Sequence, residues 1–267
     1  MERRRVMIGA MTTEELAASQ NLYERRFGGL SRLYGETVLD RLAAAHVCVI
    51  GIGGVGSWAV EALARSGVGR LTLIDMDHIA ESNLNRQIHA LESTLGQAKV
   101  LAMAERIAQI NPACRVVCVD DFITTANIAE CVPADAWVLD AIDQMGPKAA
   151  LIAQCRARGQ WIVTTGGAGG RRDPTRIRVA DLAAVNRDPL AASLRTRLRR
   201  EYGFPRGGEG DFGCLCVYSD EPMVQPAAVC AADEGGALNC AGYGSSMCVT
   251  AAFGCAAAAQ VLDRLTR

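Results

Sequence analysis

The feature that most constrains the fold is a glycine-rich turn, Gly51-Ile52-Gly53-Gly54-Val55-Gly56, which directly follows an apolar run at 46–50. In this G-x-G-x-x-G spacing the first glycine permits a tight turn and the second lets a phosphate approach the backbone. The third lets the next helix pack closely on the strand. Asp75 ends the next apolar run, where a carboxylate accepts hydrogen bonds from ribose hydroxyls. The pattern predicts a nucleotide site at Gly51, Gly53, Gly54, Gly56 and Asp75, without identifying the nucleotide.

The rest of the first half alternates short apolar runs with longer amphipathic stretches. Strands are predicted at 46–50, 71–74, 116–119, 136–139 and 161–164, and helices at 55–66, 97–110 and 148–158. This alternation predicts an α/β fold, a Rossmann-like, doubly wound and mainly parallel sheet, with an antiparallel extension in the second half. We expect an N-terminal arm with a helix at 1–30, a nucleotide-binding core at 31–170 and a substrate-facing extension of the same domain at 171–267.

Charge is distributed unevenly along the chain. The 267 residues are half hydrophobic and carry a net charge of −1, which excludes disordered and globally basic classes. Residues 156–206 nevertheless carry a net charge of +8, and residues 207–240 carry −6. A predicted helix at 189–202 would bring Arg195, Arg199 and Arg200 together. Such a strip is either a solvated helix face or a surface that binds the phosphates of a polyanion.

Cysteine usage bears on metal binding and location. None of the eleven cysteines forms a C-x-x-C pair, which argues against a structural zinc site. Residues 1–11 lack the apolar region of a secretory signal, so we expect reduced cysteines and a cytoplasmic protein. The uncharged stretch 235–262 is either a buried segment or one that associates with a membrane.

Three further motifs narrow the nucleotide chemistry. They are Asn83-Leu84-Asn85-Arg86-Gln87, Gly96-Gln97-Ala98-Lys99 and Asp140-Ala141-Ile142-Asp143. With the glycine turn they make residues 25–170 resemble the ubiquitin-activating-type (HesA/MoeB/ThiF) adenylating enzymes. The resemblance implies that Asn83, Arg86 and Gln87 bind ATP, that Lys99 bridges phosphate oxygens and that Asp143 holds Mg²⁺. It also implies a homodimer in which Arg32 is donated across the interface as a catalytic residue.

A narrower resemblance covers nearly the whole chain. The stretches 26–29, 164–170, 188–191 and 239–244 are similar to the branch of this family that acts on threonylcarbamoyladenosine in tRNA. It implies ATP-dependent dehydration of that nucleoside beside the anticodon: the threonyl carboxylate is adenylated, and ring closure then releases AMP. Cys240 is either a catalytic acyl acceptor or a packed core residue. The branch is also associated with cysteine-desulfurase sulfur relays, which makes such a relay a candidate partner besides tRNA.

Three other functions fit parts of the sequence. The first is an adenylyltransferase that activates the C-terminus of a sulfur-carrier protein, and the second is an NAD-dependent oxidoreductase. The third is a tRNA-binding module whose nucleotide site is only regulatory. An oxidoreductase does not bind a triphosphate, so it has no need of the charged residues Arg86, Lys99 and Asp143, and their presence argues against this function. The missing C-x-x-C pairs and the basic segment favour RNA over a carrier protein.

Overall fold

A computed structural model describes residues 21–224 and 243–267 of the protein. Within these residues the chain forms one sheet of seven strands. The spatial order is β3-β2-β1-β4-β5-β7-β6, and only the β6–β7 pair is antiparallel. The strands are β1 His46–Ile50, β2 Arg70–Ile74, β3 Arg115–Val119, β4 Trp137–Asp140, β5 Ile162–Thr165, β6 Ile177–Asp181 and β7 Leu215–Ser219. The predicted doubly wound sheet with an antiparallel extension is confirmed.

Helices cover both faces of this sheet. In chain order they are α1 Gly29–Tyr34, α2 Val38–Ala44, α3 Gly56–Arg65, α4 Lys99–Ile110, α5 Ile128–Cys131, α6 Met145–Ala157, α7 Pro189–Tyr202 and α8 Met247–Thr266. Residues 21–27 are also helical and are the described end of the helix expected in the N-terminal arm. The predicted helix boundaries hold to within a few residues. α6 begins three residues early because Pro147 is tolerated in a first turn, and α4 ends just before Asn111-Pro112.

The core lies in two layers because alternate strand residues face opposite sides of the sheet. Val47 and Val49 of β1 face the layer formed with α3, α4 and α8. Cys48 and Ile50 face the layer formed with α6 and α7. All five β1 residues are buried, as expected for a central parallel strand.

The C-terminal helix α8 packs closely against α3. A Cβ at Gly254 would lie 2.4 Å from the carbonyl oxygen of Val55 and 2.8 Å from the amide nitrogen of Ala59. Glycine therefore lets the two backbones meet at the helix that begins from the glycine turn. Among the described residues, α8 is the one helix long and apolar enough to cross a membrane by length and composition. Its residues Val249, Phe253, Ala257, Ala258 and Val261 are fully buried in the core.

Candidate active site

A cleft of about 450 Å³ opens at the carboxyl ends of the central strands. It lies where β1 and β4 are neighbours and the chain leaves them in opposite directions, the usual ligand site of a doubly wound sheet. Nine of the residues predicted for the site line this cleft: Gly51, Gly53, Gly54, Asp75, Asn83, Arg86, Gln87, Lys99 and Asp143. The topology thus gathers four separate sequence motifs into one space.

The glycine turn has the geometry that its spacing predicts. Gly51 has a φ of 86°, and a Cβ there would lie 2.8 Å from the carbonyl oxygen of Ala141. A Cβ at Gly56 would lie against the carbonyl oxygen of Gly51, so this glycine permits close packing of α3 and does not line the cleft. Among the described residues, open space surrounds the Cβ position of Gly53. A phosphate can therefore approach the backbone at Gly53 and the N-terminus of α3.

Asp75 braces the turn from the end of β2. Its Oδ2 accepts a hydrogen bond from the amide of Ile52 at 2.6 Å, and its Oδ1 accepts one from the amide of Asp77 at 2.8 Å. Burial raises the pKa of Asp75, while the nearby charge of Lys99 and the two backbone donors oppose that rise. The carboxylate therefore orders the turn and still presents lone pairs to the cleft.

Lys99 begins α4 with its side chain almost fully buried. Its Nζ lies 2.6 Å from Oδ2 of Asp77, and its backbone amide donates to the carbonyl oxygen of Asp77 at 3.0 Å. The Lys99 side chain is 6% exposed, whereas that of Asp77 is 56% exposed. Asp77 therefore holds the ammonium group in place at the cleft wall.

His89 lies behind this lysine and is 2% exposed. Burial lowers the pKa of His89 to about 4, and the charges of Lys99 and Arg106 act in the same direction. Neither ring nitrogen has a hydrogen-bond partner within the part of the chain that the structure describes. The imidazole is therefore neutral near pH 7.

Arg86 and Gln87 line the same cleft as Lys99. Nη1 of Arg86 donates to the carbonyl oxygen of Ser82 at 2.7 Å and to Oδ1 of Asn85 at 2.9 Å. The aliphatic part of Arg86 covers Gly54, since its Cγ and Cδ lie 3.2 Å from a Cβ built there. Gln87 is 5% exposed, and its Oε1 has no partner among the described residues. Both side chains thus present polar groups to the same space as the glycine turn.

The short segment 141–143, directly after β4, also lines the cleft. The amide of Ala141 donates to the carbonyl oxygen of Ile50 at 2.8 Å, which fixes the segment to the end of β1. Asp143 lines the cleft and is half-buried. A carboxylate at this edge, beside open backbone donors, suits a hard divalent ion that also binds phosphate oxygens.

Sequence reasoning missed several residues of the site. The cleft is also lined by the Asp121–Ile123 segment beyond β3, by residues 165–169 at and after the end of β5, and by Asp188. The loops that follow parallel strands were the available signal, because such loops meet at one edge of the sheet. Lys148, which donates to the carbonyl oxygen of Ile142 next to Asp143, is not among the predicted site residues, although it is one of only two lysines in a chain with 26 arginines.

Two predicted catalytic residues are not in the described cleft. Arg32 lies on α1, is exposed, and is not among the residues that line the cleft of its own chain. Its role across a dimer interface stays a prediction. Cys240 lies outside the described residues.

The predicted arginines of α7 differ in their exposure to solvent and in their contacts. Arg195 is half-buried, and Arg199 donates from Nε to the carbonyl oxygen of Pro205 at 3.0 Å while its guanidinium lies 5.3 Å from the centre of the Phe212 ring. Arg200 is exposed and pairs with Glu201. Burial lowers the pKa of Arg195, and the charge of Arg199 adds to this effect. Their binding of tRNA stays a prediction.

No group of three or more His, Cys, Asp or Glu residues suited to a metal ion occurs within residues 21–224 and 243–267. Nine cysteines fall in these ranges, and none of the nine is in a disulfide. Burial raises the pKa of Cys48 well above its ordinary value and that of Cys155 to about 12, so these two are protonated core thiols.

Comparison with known proteins gives a consistent result. The profile of the ThiF family matches residues 23–267. The chain is 52% identical over 252 residues to the tRNA threonylcarbamoyladenosine dehydratase of Escherichia coli (strain K12), covering 91% of this chain and 94% of that protein. It is 46% identical over 247 residues to the Haemophilus influenzae protein of the same name, covering 92% and 95%.

The fold is also close to a solved structure. The crystal structure of the E. coli dehydratase in complex with ATP superimposes with a TM-score of 0.83. The two sequences are 51% identical, and the match covers 92% of this chain and 95% of that one.

Proposed function

The chain belongs to the ThiF family, and from that premise we propose that it is an ATP-dependent enzyme that dehydrates N6-threonylcarbamoyladenosine in tRNA next to the anticodon. The observation that carries the proposal is the cleft at the β1–β4 switch point. It holds the glycine turn, Asp75, Arg86, Lys99 and Asp143 together. This set suits ATP, and it occurs in a chain that matches the dehydratases over nearly its whole length.

The reaction has two chemical steps. The carboxylate of the threonyl group attacks the α-phosphate of ATP, so a new C–O–P bond forms and pyrophosphate leaves. The carbamoyl oxygen of the same side chain then attacks the activated acyl carbon, which closes a five-membered ring and releases AMP. Both reacting groups belong to one nucleoside, so correct positioning supplies much of the acceleration.

Charge in the cleft supports the first step. Negative charge builds up on the phosphates as pyrophosphate departs, and fixed cations stabilise it. Lys99, held by Asp77, is one such cation, and Arg86 over Gly54 is the other. Asn83 and Gln87 complete the polar wall, and Asp75 receives the ribose hydroxyls.

Mg²⁺ fits the same site. Asp143 supplies one hard oxygen ligand at the cleft edge, and ATP would supply the phosphate oxygens. The ion would add positive charge where the triphosphate binds.

The remaining parts of the proposal concern assembly and tRNA. We place Arg32 at the cleft of a partner copy in a homodimer, since it does not reach its own. Residues 171–267 form the tRNA-facing extension of the nucleotide-binding core at 31–170, with Arg195, Arg199 and Arg200 as phosphate-binding residues. The protein acts in the cytoplasm, where its tRNA substrate occurs.

The direct test is mass spectrometry of tRNA nucleosides. The protein is incubated with ATP, Mg²⁺ and tRNA that carries threonylcarbamoyladenosine. We expect the nucleoside to lose one water and ATP to yield AMP and pyrophosphate, with Lys99→Ala as the inactive control. An unchanged nucleoside would refute the proposal. Pyrophosphate release on adding a sulfur-carrier protein instead of tRNA would favour the adenylyltransferase alternative.

A further inference from the structure

A fully buried ion pair lies directly behind the segment 141–143 that lines the cleft. Nζ of Lys148, on α6, lies 2.8 Å from Oδ2 of Asp140, the last residue of β4, and both side chains are 0% exposed. The hydroxyl of Thr164 on β5 donates to the same carboxylate oxygen at 2.6 Å. Apolar residues of similar volume often stabilise a core as well as a buried ion pair does. Stability alone therefore does not explain the pair.

The pair also holds the backbone in front of Asp143. Nζ of Lys148 donates to the carbonyl oxygen of Ile142 at 2.9 Å, and Oδ1 of Asp140 accepts the amide of Ile142 at 3.0 Å. Both peptide groups of Ile142 are thus fixed by one ion pair. Asp143 is the next residue, so its Cα position follows from these two hydrogen bonds.

The same segment contacts the glycine turn on its other side. A Cβ at Gly51 would lie 2.8 Å from the carbonyl oxygen of Ala141 and 3.2 Å from the amide nitrogen of Ile142. The segment is thus clamped between the turn and Lys148, and a small movement of either would shift the other. Misplacement of a reacting group by about 1 Å can cost on the order of 100-fold in rate.

Residue choice supports a special role for this lysine. The chain uses arginine at 26 positions and lysine at two, and both lysines serve this cleft, Lys99 at its wall and Lys148 behind it. A closed space between one carboxylate and one carbonyl suits a compact ammonium group, whereas a planar guanidinium needs more room and more acceptors.

We propose that Lys148, through Asp140 and Ile142, is a positioning residue that sets Asp143 against the glycine turn for binding the Mg²⁺–triphosphate part of ATP. Lys148 does not line the cleft and does not touch the substrate. The inference rests on the proposed function, because it assumes that ATP binds in this cleft.

The test compares ATP with AMP, by calorimetric titration of Lys148→Met and the wild-type protein with each nucleotide in Mg²⁺. AMP lacks the part of ATP that Asp143 would help to bind. Loss of a charge-assisted hydrogen bond should weaken ATP binding about tenfold. AMP binding should change by no more than about twofold, because Asp75 and the open backbone at Gly53 remain. ATP titrated in a chelator should bind both proteins about equally.

Two further variants separate positioning from stability. Ile152 lies one turn further along α6 and is also 0% exposed. The Ile152→Ala variant therefore destabilises the protein by creating a cavity, and it should leave the ATP-to-AMP affinity ratio unchanged. Lys148→Met with Asp140→Asn removes the lone buried charge, so stability should rise towards wild type. Its affinity ratio should stay shifted, because Ile142 still lacks its donor; this variant also provides the test if Lys148→Met does not fold.

The outcomes distinguish the positioning role of Lys148 from the proposed function of the cleft. A wild-type affinity ratio in the lysine variants, or the same shift in Ile152→Ala, would overturn the positioning role. A wild-type protein that binds no ATP would overturn the proposed function itself.

Discussion

The buried His89 should make the stability of this protein fall in mild acid. Burial, and then the charges of Lys99 and Arg106, lower the pKa of His89 in the folded protein from 6.5 to about 4. The unfolded chain takes up the proton near pH 6.5, whereas the folded protein resists it down to about pH 4. Between these values the unfolded state binds more protons, so the free energy of unfolding decreases as the pH falls.

The expected magnitude follows from the interval between the two pKa values. One pH unit corresponds to about 1.4 kcal/mol, so the interval corresponds to roughly 3 kcal/mol when it is crossed fully. At about pH 5 the unfolded histidine is charged and the folded one is still mostly neutral, which gives a loss of about 2 kcal/mol relative to about pH 7.5.

The assay is urea unfolding of wild type and His89→Leu at both pH values. Leucine is a suitable replacement because neither ring nitrogen has a partner among the described residues, so no hydrogen bond is lost. The wild-type protein should lose about 2 kcal/mol more than the variant on going to the lower pH. His46, whose pKa burial also lowers, is present in both proteins and cancels in the comparison. Equal losses would refute the reasoning.

Three other predictions concern function. Lys99→Ala or Asp143→Ala should lower turnover by about 100-fold or more with an unchanged near-UV circular dichroism spectrum, because each removes a charge at the phosphates; turnover at the wild-type rate would contradict the site. Arg32→Ala mixed with Asp143→Ala should recover activity through heterodimers, and proven subunit exchange without recovery would exclude a shared site. Arg195→Glu with Arg199→Glu should weaken tRNA binding and reduce its salt slope by about one per lost phosphate contact, while ATP binding is unchanged; equal tRNA affinities in a filter-binding titration would remove α7 from the tRNA surface.

The central fold was predictable because its signals are local. The apolar runs of β1, β2 and β3 stand out in the sequence, and the glycine turn identifies the end of β1. The placement of Asp143 in the same site was implied by the resemblance to the adenylating enzymes. The structure accounts for it, because neighbouring loops of a parallel sheet meet at one edge and both Gly51 and Asp143 line the cleft there.

The supporting contacts were not predictable, because they depend on packing between distant elements. Nothing in the spacing of Asp140 and Lys148 distinguishes a fully buried pair from two surface charges. The same holds for Arg199, whose contacts with Pro205 and Phe212 arise only when the loop after α7 folds back. The contact of Asp77 with Lys99 likewise depends on how α4 begins.

The close crossing of α3 and α8 also has a consequence for how the chain is made. α3 ends at Arg65 and α8 begins at Met247, so the two surfaces that meet at Gly254 leave the ribosome far apart in time. At a synthesis rate of roughly 5–20 residues per second, roughly 10–40 s pass between the synthesis of α3 and that of α8. Throughout that interval the nascent chain carries an uncovered helix beside its nucleotide turn. A message truncated before the codon of Met247 would therefore yield a chain in which the face of α3 that packs on α8 stays uncovered.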